Sequence, residues 1–209
     1  MSLITAMTKE VLQTGLLRDS FQWRLGSGNE VALTFDDGPH PIHTPCLLDV
    51  LARHGVKATY FLVGERAERC PQLVERIFAE GHGVASHTYT HRELPRLTRA
   101  ELEWELATTR ELLRKITGRD SNLVRPPRGR VSLRALLRIR SLGYRLVHWS
   151  RTYSDYLQDG SAALLQRLSA EPPAARDIIL LHDNNPYTVE ALDEALPGWL
   201  RAGMRFAAI

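Results

Sequence analysis

The stretch "VALTFDDGPH", residues 31–40, drives a β-branched and apolar run into two adjacent aspartates, Asp36 and Asp37, and then into a Gly-Pro break. Val31 to Phe35 has the composition of a buried strand, and Gly38-Pro39 marks its end. Successive side chains on a strand point to opposite sides. Two carboxylates at its end therefore diverge, and one can bind a ligand while the other acts on something else. A solvated loop or a helix cap is the plainer use for such a pair, so the reading turns on what the rest of the chain places beside it.

Working outward, the same kind of short run recurs. It is found at Ala58 to Val63, Gly83 to His87, Asn122 to Arg125, Arg145 to Trp149, Ile178 to His182 and Arg205 to Ile209. With Val31 to Phe35 these make seven predicted strands, and "FQWRL" (21–25) is a candidate extra one. Longer helical patterns lie between them. "TRAELEWELATTRELLRKITG" opens with Thr98 and Glu101 spaced as a capping box and closes at Gly118, and "SLRALLRIRSLG" runs from Ser132 to Gly143 in the same way. Regular alternation of strand and helix predicts an α/β fold with a mainly parallel sheet, either a (β/α) barrel or an open doubly wound sheet. Polar clusters then fall at the carboxyl ends of strands: "TFDD", "ASHTYTH", "RPPRG", "HWSRTYSD" and "LLHD". In both architectures that edge is where ligands bind, so five separated motifs converge on one mouth.

Composition sets the outer bounds. At 209 residues and 44% apolar content the chain suits one globular domain. Residues 1–20 are expected to be an N-terminal extension and 21–209 the working domain. No apolar run approaches the 18 or more residues of a membrane span. Lys9 and Glu10 stand where an export signal would need its apolar centre. The expectation as written is a cytoplasmic location, or a periplasmic or extracellular one if Met1-Ser2-Leu3 replaced a native signal. Cys46 and Cys70 match no paired metal motif and are expected to be buried or half-buried free thiols. The net charge of +3 hides an asymmetry: residues 125–151 hold eight arginines and no acid, leaving −5 (3 − 8) for the rest. That segment is an expected anion-facing patch, although 24 Arg against 3 Lys is also what codon bias would produce. It lacks interleaved aromatics, so nucleic acid is not an expected partner.

The convergent residues compose one chemistry. His87 and His91, four apart, are expected to lie on one side of a helical turn and grip a divalent ion. One aspartate of the pair would be the third, anionic ligand, leaving open positions as in catalytic sites, and the other would be free as a base on a water there. A divalent ion lowers the pKa of a water towards neutrality and polarises a carbonyl. Arg125, held extended by Pro126 and Pro127, is placed to pair with the basic carboxylate and keep it ionised. His182 from another strand can protonate the departing group, and Asp155 can orient its imidazole. The sum is a metal-assisted hydrolase of an amide or ester.

"TFDDGP", "SHTYTH", "RPPRG", "WSRTYSDY" and "LLHD", in that order, resemble the successive motifs of the NodB-like polysaccharide deacetylases, carbohydrate esterase family 4, over about residues 30–183. The resemblance implies a single-domain irregular (β/α) barrel of about seven parallel strands. It implies Asp36 as general base, Asp37, His87 and His91 as the metal triad, Arg125 as partner of the base, His182 as general acid and Asp155 as its tether. It also implies removal of acetyl groups from N-acetylated sugars in a glycan or glycan precursor, with one divalent ion, zinc before cobalt. Arg128 stands where the family commonly has an aromatic, yet keeps the backbone N–H that helps hold an oxyanion. Tyr156 replaces the tryptophan of the usual Asp-x-x-Asp-Trp motif, and Thr152 its first aspartate. Arg128, Tyr156, Leu180 and Trp149 are the expected substrate-lining residues.

Three other outcomes are open to the same residues. A carbohydrate-binding protein could keep the fold without catalysis, although it has no use for a proton-transfer pair. A deacylase such as a deformylase could act on a lipid-linked sugar, with the 125–151 arginines meeting an anionic membrane. A metal phosphoesterase would normally need more carboxylates for two metals. Outside the motifs, His54 and His82 are expected as cations at helix C-termini, His148 as a core or rim residue, and His40 and His43 as loop residues. Oligomeric state is not legible.

Overall fold

The structure, a computed structural model, describes residues 19–209. The expected N-terminal extension, residues 1–20, lies outside the described residues except for Asp19 and Ser20. Nine strands follow: β1 (Phe21–Gln22), β2 (Glu30–Asp36), β3 (Ala58–Leu62), β4 (Gly83–Ser86), β5 (Leu123–Val124), β6 (Arg145–Val147), β7 (Arg151–Thr152), β8 (Ile178–His182) and β9 (Arg205–Phe206). All pair in parallel, in the order β1-β6-β5-β4-β3-β2-β8-β7, with β9 against the start of β2. The seven expected strands are present and "FQWRL" supplies β1.

The addition is β7, which hides inside a polar stretch. β6 pairs with β5 and β1, whereas β7, only three residues later, pairs with β8 at the other margin of the sheet. Between them His148 N–H donates to Gln22 O at 2.6 Å and Ser150 N–H to Ile178 O at 3.0 Å. One extended run thus serves both margins, and the sheet curls into the irregular barrel.

The period of two sorts the side chains. On β2, Val31, Leu33 and Phe35 face outward into the main core with Leu47, Leu51, Leu192, Leu196 and Trp199. Ala32 faces inward with Phe61, Ala85, Val147 and Ile178, a separate and smaller apolar cluster inside the sheet. Each large outward side chain, fully buried, contributes about 1.5–3 kcal/mol of burial. Above the inward apolar layer the next residues on that face are Thr34 and Asp36, so the polar mouth begins where the barrel filling ends.

Helices cover the outside: α1 (His43–Arg53), α2 (Gly64–Arg69), α3 (Pro71–Ala79), α4 (Arg99–Thr117), α5 (Leu133–Ser141), α6 (Ser161–Ala170) and α7 (Pro186–Arg201). The expected capping box at α4 forms, with Thr98 Oγ1 accepting from Glu101 N–H and Glu101 accepting from Thr98 N–H, and Gly118 ends the helix in the left-handed conformation. No helix among the described residues is long and apolar enough to cross a membrane.

Candidate active site

Asp36 is the last residue of β2 and points into the barrel mouth, 3% exposed. One of its oxygens accepts from Arg125 Nη1 at 2.7 Å, and the other lies 3.7 Å from His87 Nε2. Arg125, immediately after β5, is completely buried. The same Nη1 donates to Thr34 Oγ1 at 2.7 Å, and the other guanidinium nitrogens reach the carbonyls of Val147 and His148. Its charged end also sits 4.0 Å over the Phe61 ring. Burial pulls the Arg125 pKa below its usual value while Asp36 opposes this, and a guanidinium remains charged throughout.

Asp37 departs from the strand at φ +73° and turns to the other side, ahead of a cis Gly38-Pro39 bond. Its Oδ1 is 3.0 Å from His91 Nε2 and 3.6 Å from His87 Nε2. Burial raises its pKa, but the His91 hydrogen bond and the surrounding imidazoles outweigh this and hold it well below the carboxylate range. His87 Nδ1 pairs with Arg125 O at 2.9 Å. A carbonyl only accepts, so Nδ1 carries the hydrogen and the lone pair is left on Nε2, towards Asp37. Burial keeps this imidazole pKa low and its ring neutral. The ligand atoms of Asp37, His87 and His91 all lie within 4.8 Å of one another. One carboxylate and two imidazoles, that of His87 with its tautomer fixed, fit a divalent ion.

The two histidines do not share a helical turn. Residues 87–91 form an irregular loop after β4, with Thr88 at φ +68° and His91 at φ +60°. Non-glycine residues in that region are costly by about 1–2 kcal/mol each, and the i, i+4 spacing converges through this folded loop.

His182 ends β8 on the same inward face as Ile178 and Leu180. Its backbone N–H donates to Asp155 Oδ2 at 2.6 Å, and its Nδ1 meets Asp155 Oδ1 at 2.9 Å. Burial disfavours its charge, but the Asp155 hydrogen bond and charge, with Asp36 and Asp37 behind them, raise its pKa to about 9. Asp155 follows β7, is 1% exposed and accepts a third bond from Thr188 Oγ1 at 2.9 Å.

The lining residues divide. Leu180 lies beneath His182, and Tyr156, 59% exposed, stands edge-on to its ring at 6.3 Å. Trp149 stacks on the buried His148 at 4.0 Å and packs against Gly129, where a Cβ would come within 2.4 Å of it. Arg128, in the left-handed conformation at φ +56°, carries the first amide N–H after Pro126 and Pro127, while its guanidinium pairs with Glu93 at 3.0 Å.

Several other expectations change. The 125–151 arginines do not form one patch: Arg125 pairs with Asp36, Arg128 and Arg130 with Glu93, Arg138 with Glu103, and Arg151 with Asp177 and Glu171. Acids distant in sequence thus meet five of the eight. His54 Nε2 lies 2.8 Å from Asp193 Oδ1 at the end of α1. His82 is not the expected helix-end cation, because burial, aided by Lys57, lowers its pKa to about 4 and its Nδ1 accepts from Ala58 N–H. Cys46 is exposed and Cys70 half-buried, both free. His40, in the loop after the aspartates, stacks at 4.4 Å on His43, which is the first residue of α1 and not a loop residue.

One residue of the mouth was passed over. Asp183, quoted in "LLHD" beside His182, is fully buried, accepts from Thr44 Oγ1 at 2.5 Å, and fills the space a Cβ on Gly38 would need, 2.3 Å away. Burial raises its pKa to about 7. It is a floor for the turn that aims Asp37, and only tertiary contacts reveal it.

The chain is similar to known proteins in sequence and in fold. The family model for polysaccharide deacetylase matches residues 26–147. A peptidoglycan-N-acetylglucosamine deacetylase of Bacillus cereus is 35% identical over 184 residues, covering 86% of this chain, which spans 66% of that relative's length. The peptidoglycan-N-acetylmuramic acid deacetylase PdaA of Bacillus subtilis is 36% identical over 193 residues, 88% of this chain and 72% of its own. The crystal structure of the Bc1960 peptidoglycan N-acetylglucosamine deacetylase superposes with a TM-score of 0.86 at 32% identity, over 91% of each chain. A Bacillus anthracis pseudoenzyme of carbohydrate esterase family 4 has the same fold at TM-score 0.83 and 23% identity. With its motif residues gathered at one barrel mouth and its relatives matched along most of their length, the chain is a member of the polysaccharide deacetylase family.

Proposed function

We propose that this protein is a metal-dependent hydrolase that removes N-acetyl groups from an amino-sugar glycan or glycan precursor. The observation that carries the reading is the β2–β8 register. Asp36 and His182 are direct partners on neighbouring strands, so a carboxylate held by Arg125 and an imidazole held by Asp155 face one another's reach beside Asp37, His87 and His91. A fold that had given up catalysis, as the pseudoenzyme shows to be attainable, has no need of both.

Asp37, His87 and His91 would hold the ion, zinc or else cobalt. When bound, it supplies polarisation of the acetyl carbonyl and acidification of a water. Asp36 accepts the proton of the attacking water, with Arg125 fixing the other carboxylate oxygen. The backbone N–H of Arg128 faces the oxygen of the tetrahedral species. His182 gives its proton to the sugar nitrogen as the C–N bond breaks, releasing a free amine and acetate, and Asp155 holds its ring throughout. Leu180 walls the acetyl methyl, while Trp149 and Tyr156 border the sugar.

The test is acetate release from N-acetylglucosamine oligomers and from peptidoglycan, with chelated protein and Asp36→Asn as controls. Release abolished by both controls supports the mechanism. A metal-loaded protein that releases neither acetate nor formate from any amino-sugar glycan, yet binds it, would instead be a carbohydrate-binding protein.

For the arginine-rich segment the reading narrows. Arg134 and Arg140 have no acidic partner among the described residues and lie on α5 beside Leu133, 65% exposed, and Leu137, 48% exposed. This face would meet an anionic lipid surface if the substrate is lipid-linked. Reversing both charges is expected to reduce sedimentation with anionic vesicles, and unchanged sedimentation removes the contact.

A further inference from the structure

The loop that carries both metal-site histidines is gripped from two sides. Its carbonyls at Thr88 and Tyr89 accept from the backbone N–H groups of Gly64 and Glu65, the first turn of α2, at 2.9 and 3.0 Å. Its N–H groups at Tyr89 and Thr90 both donate to Glu105 Oε2, at 2.7 and 2.8 Å, and Thr90 Oγ1 donates to Glu105 Oε1. Glu105 belongs to α4, is 1% exposed, and pairs with no cation among the described residues. A buried carboxylate without a cation is unfavourable unless its lone pairs are filled. Here the three donors that fill them all come from Tyr89 and Thr90, the two residues just before His91.

This clamp acts where the loop decides the site. Thr88 and His91 are both left-handed, and the imidazole rings they separate are 5.0 Å apart, centre to centre. Tyr89 and Thr90 are the only residues between Thr88 and His91. Their orientation therefore sets where His91 Nε2 stands relative to His87 Nε2 and Asp37. His87 is held independently by Arg125 O, whereas among the described residues the His91 ring has Asp37 as its only hydrogen-bonding or ionic partner. His91 thus takes its position from its backbone, and the two residues before it are held by Glu105 on one side and by the Gly64 and Glu65 amides on the other.

We propose that Glu105 is a positioning residue of the metal site, fixing the bite between His87 and His91 from a helix outside the mouth. The inference rests on the reading of Asp37, His87 and His91 as a metal triad. Glutamine can replace much of this function: its amide oxygen accepts from both N–H groups while its NH2 turns to the Thr90 hydroxyl, which can accept. Alanine can replace none of it.

The experiment is calorimetric titration of metal-free protein with Zn2+, after circular dichroism has shown the metal-free variants to be folded. Glu105→Ala is expected to bind about 10–100-fold more weakly than wild type, the range seen when outer partners of metal ligands are removed, and Glu105→Gln to stay within about threefold. Thr90→Val, which removes one of the three bonds, is the milder second variant and is expected to weaken binding by about threefold or more. Wild-type affinity in folded Glu105→Ala, or in Thr90→Val should the alanine variant not fold, overturns the role of Glu105. Wild-type protein that binds no Zn2+ overturns the metal triad itself, a separate outcome from the first.

Discussion

Replacing Asp155 by asparagine tests how His182 is made an acid. The carboxylate meets His182 twice and Thr188 once, and both the His182 N–H and the Thr188 hydroxyl fall on Oδ2. Asparagine keeps those two bonds by presenting its carbonyl oxygen there, which turns its NH2 towards the imidazole Nδ1. An NH2 group only donates, so the ring is pushed to the neutral form with its lone pair on Nδ1. Burial already opposes protonation, and only Asp36 and Asp37 remain to favour it. The rise from 6.5 to about 9 corresponds to on the order of 3 kcal/mol in favour of the imidazolium, and most of it is expected to vanish. Because the folded pKa lies above the unfolded one, the stabilisation is complete below about pH 6.5 and fades as the pH rises through about 9. The variant should therefore melt below wild type at about pH 6, with the gap closing by about pH 10. Imidazole titration by NMR in the metal-free protein reads the pKa directly. In the loaded enzyme kcat near neutrality is expected to fall about 10²–10⁴-fold, and the high-pH limb of the profile to move down. If His182 in the variant still titrates above about pH 8, Asp36 and Asp37 supply its charge and the assignment of Asp155 is wrong.

Three further outcomes follow from the geometry. Arg125→Ala leaves Asp36 buried without its partner and should cost about 3–5 kcal/mol in a denaturant melt. Gly64→Ala places a Cβ 2.3 Å from Tyr89 Cδ2 and 2.9 Å from its Cα, so it should destabilise the fold by about 1–3 kcal/mol and weaken Zn2+ binding through the same loop. Zn2+ at about 100 times its dissociation constant should stabilise the wild type by about 2.7 kcal/mol, and His91→Ala should abolish that rise in melting temperature while the metal-free fold persists, since His91 is 30% exposed.

Much of this was legible from residue order because each strand of a parallel barrel carries a local signature and ends at the same edge. Val31 to Phe35 announces a buried strand through composition alone, and Asp36 and Asp37 inherit their position from it. Thr98 with Glu101 announces a helix start because capping is decided within four residues. What escaped is decided at long range. β7 is two residues long within a polar stretch, and only its pairing with Ile179 and Leu180 makes it a strand. The His87–His91 spacing suits a helix equally well, and the backbone bonds from Gly64 and Glu65 and to Glu105 select the loop. The run of eight arginines looked like one charged surface because the acids that meet five of them, from Asp36 to Asp177, are scattered over the whole chain.

Arg125 has a consequence for how such a protein can change over time. Its guanidinium ties Thr34 and Asp36 of β2 to the carbonyls of Val147 and His148, across the width of the barrel, and occupies the layer just above the apolar filling. It is a cross-strut as much as a partner of the base. Loss of this residue would weaken the fold by about 3–5 kcal/mol, whereas His91, 30% exposed, carries little of the architecture. A lineage that retires the chemistry and keeps the scaffold is thus expected to drift first at the exposed ligand, leaving the buried arginine as the mark of an abandoned trade.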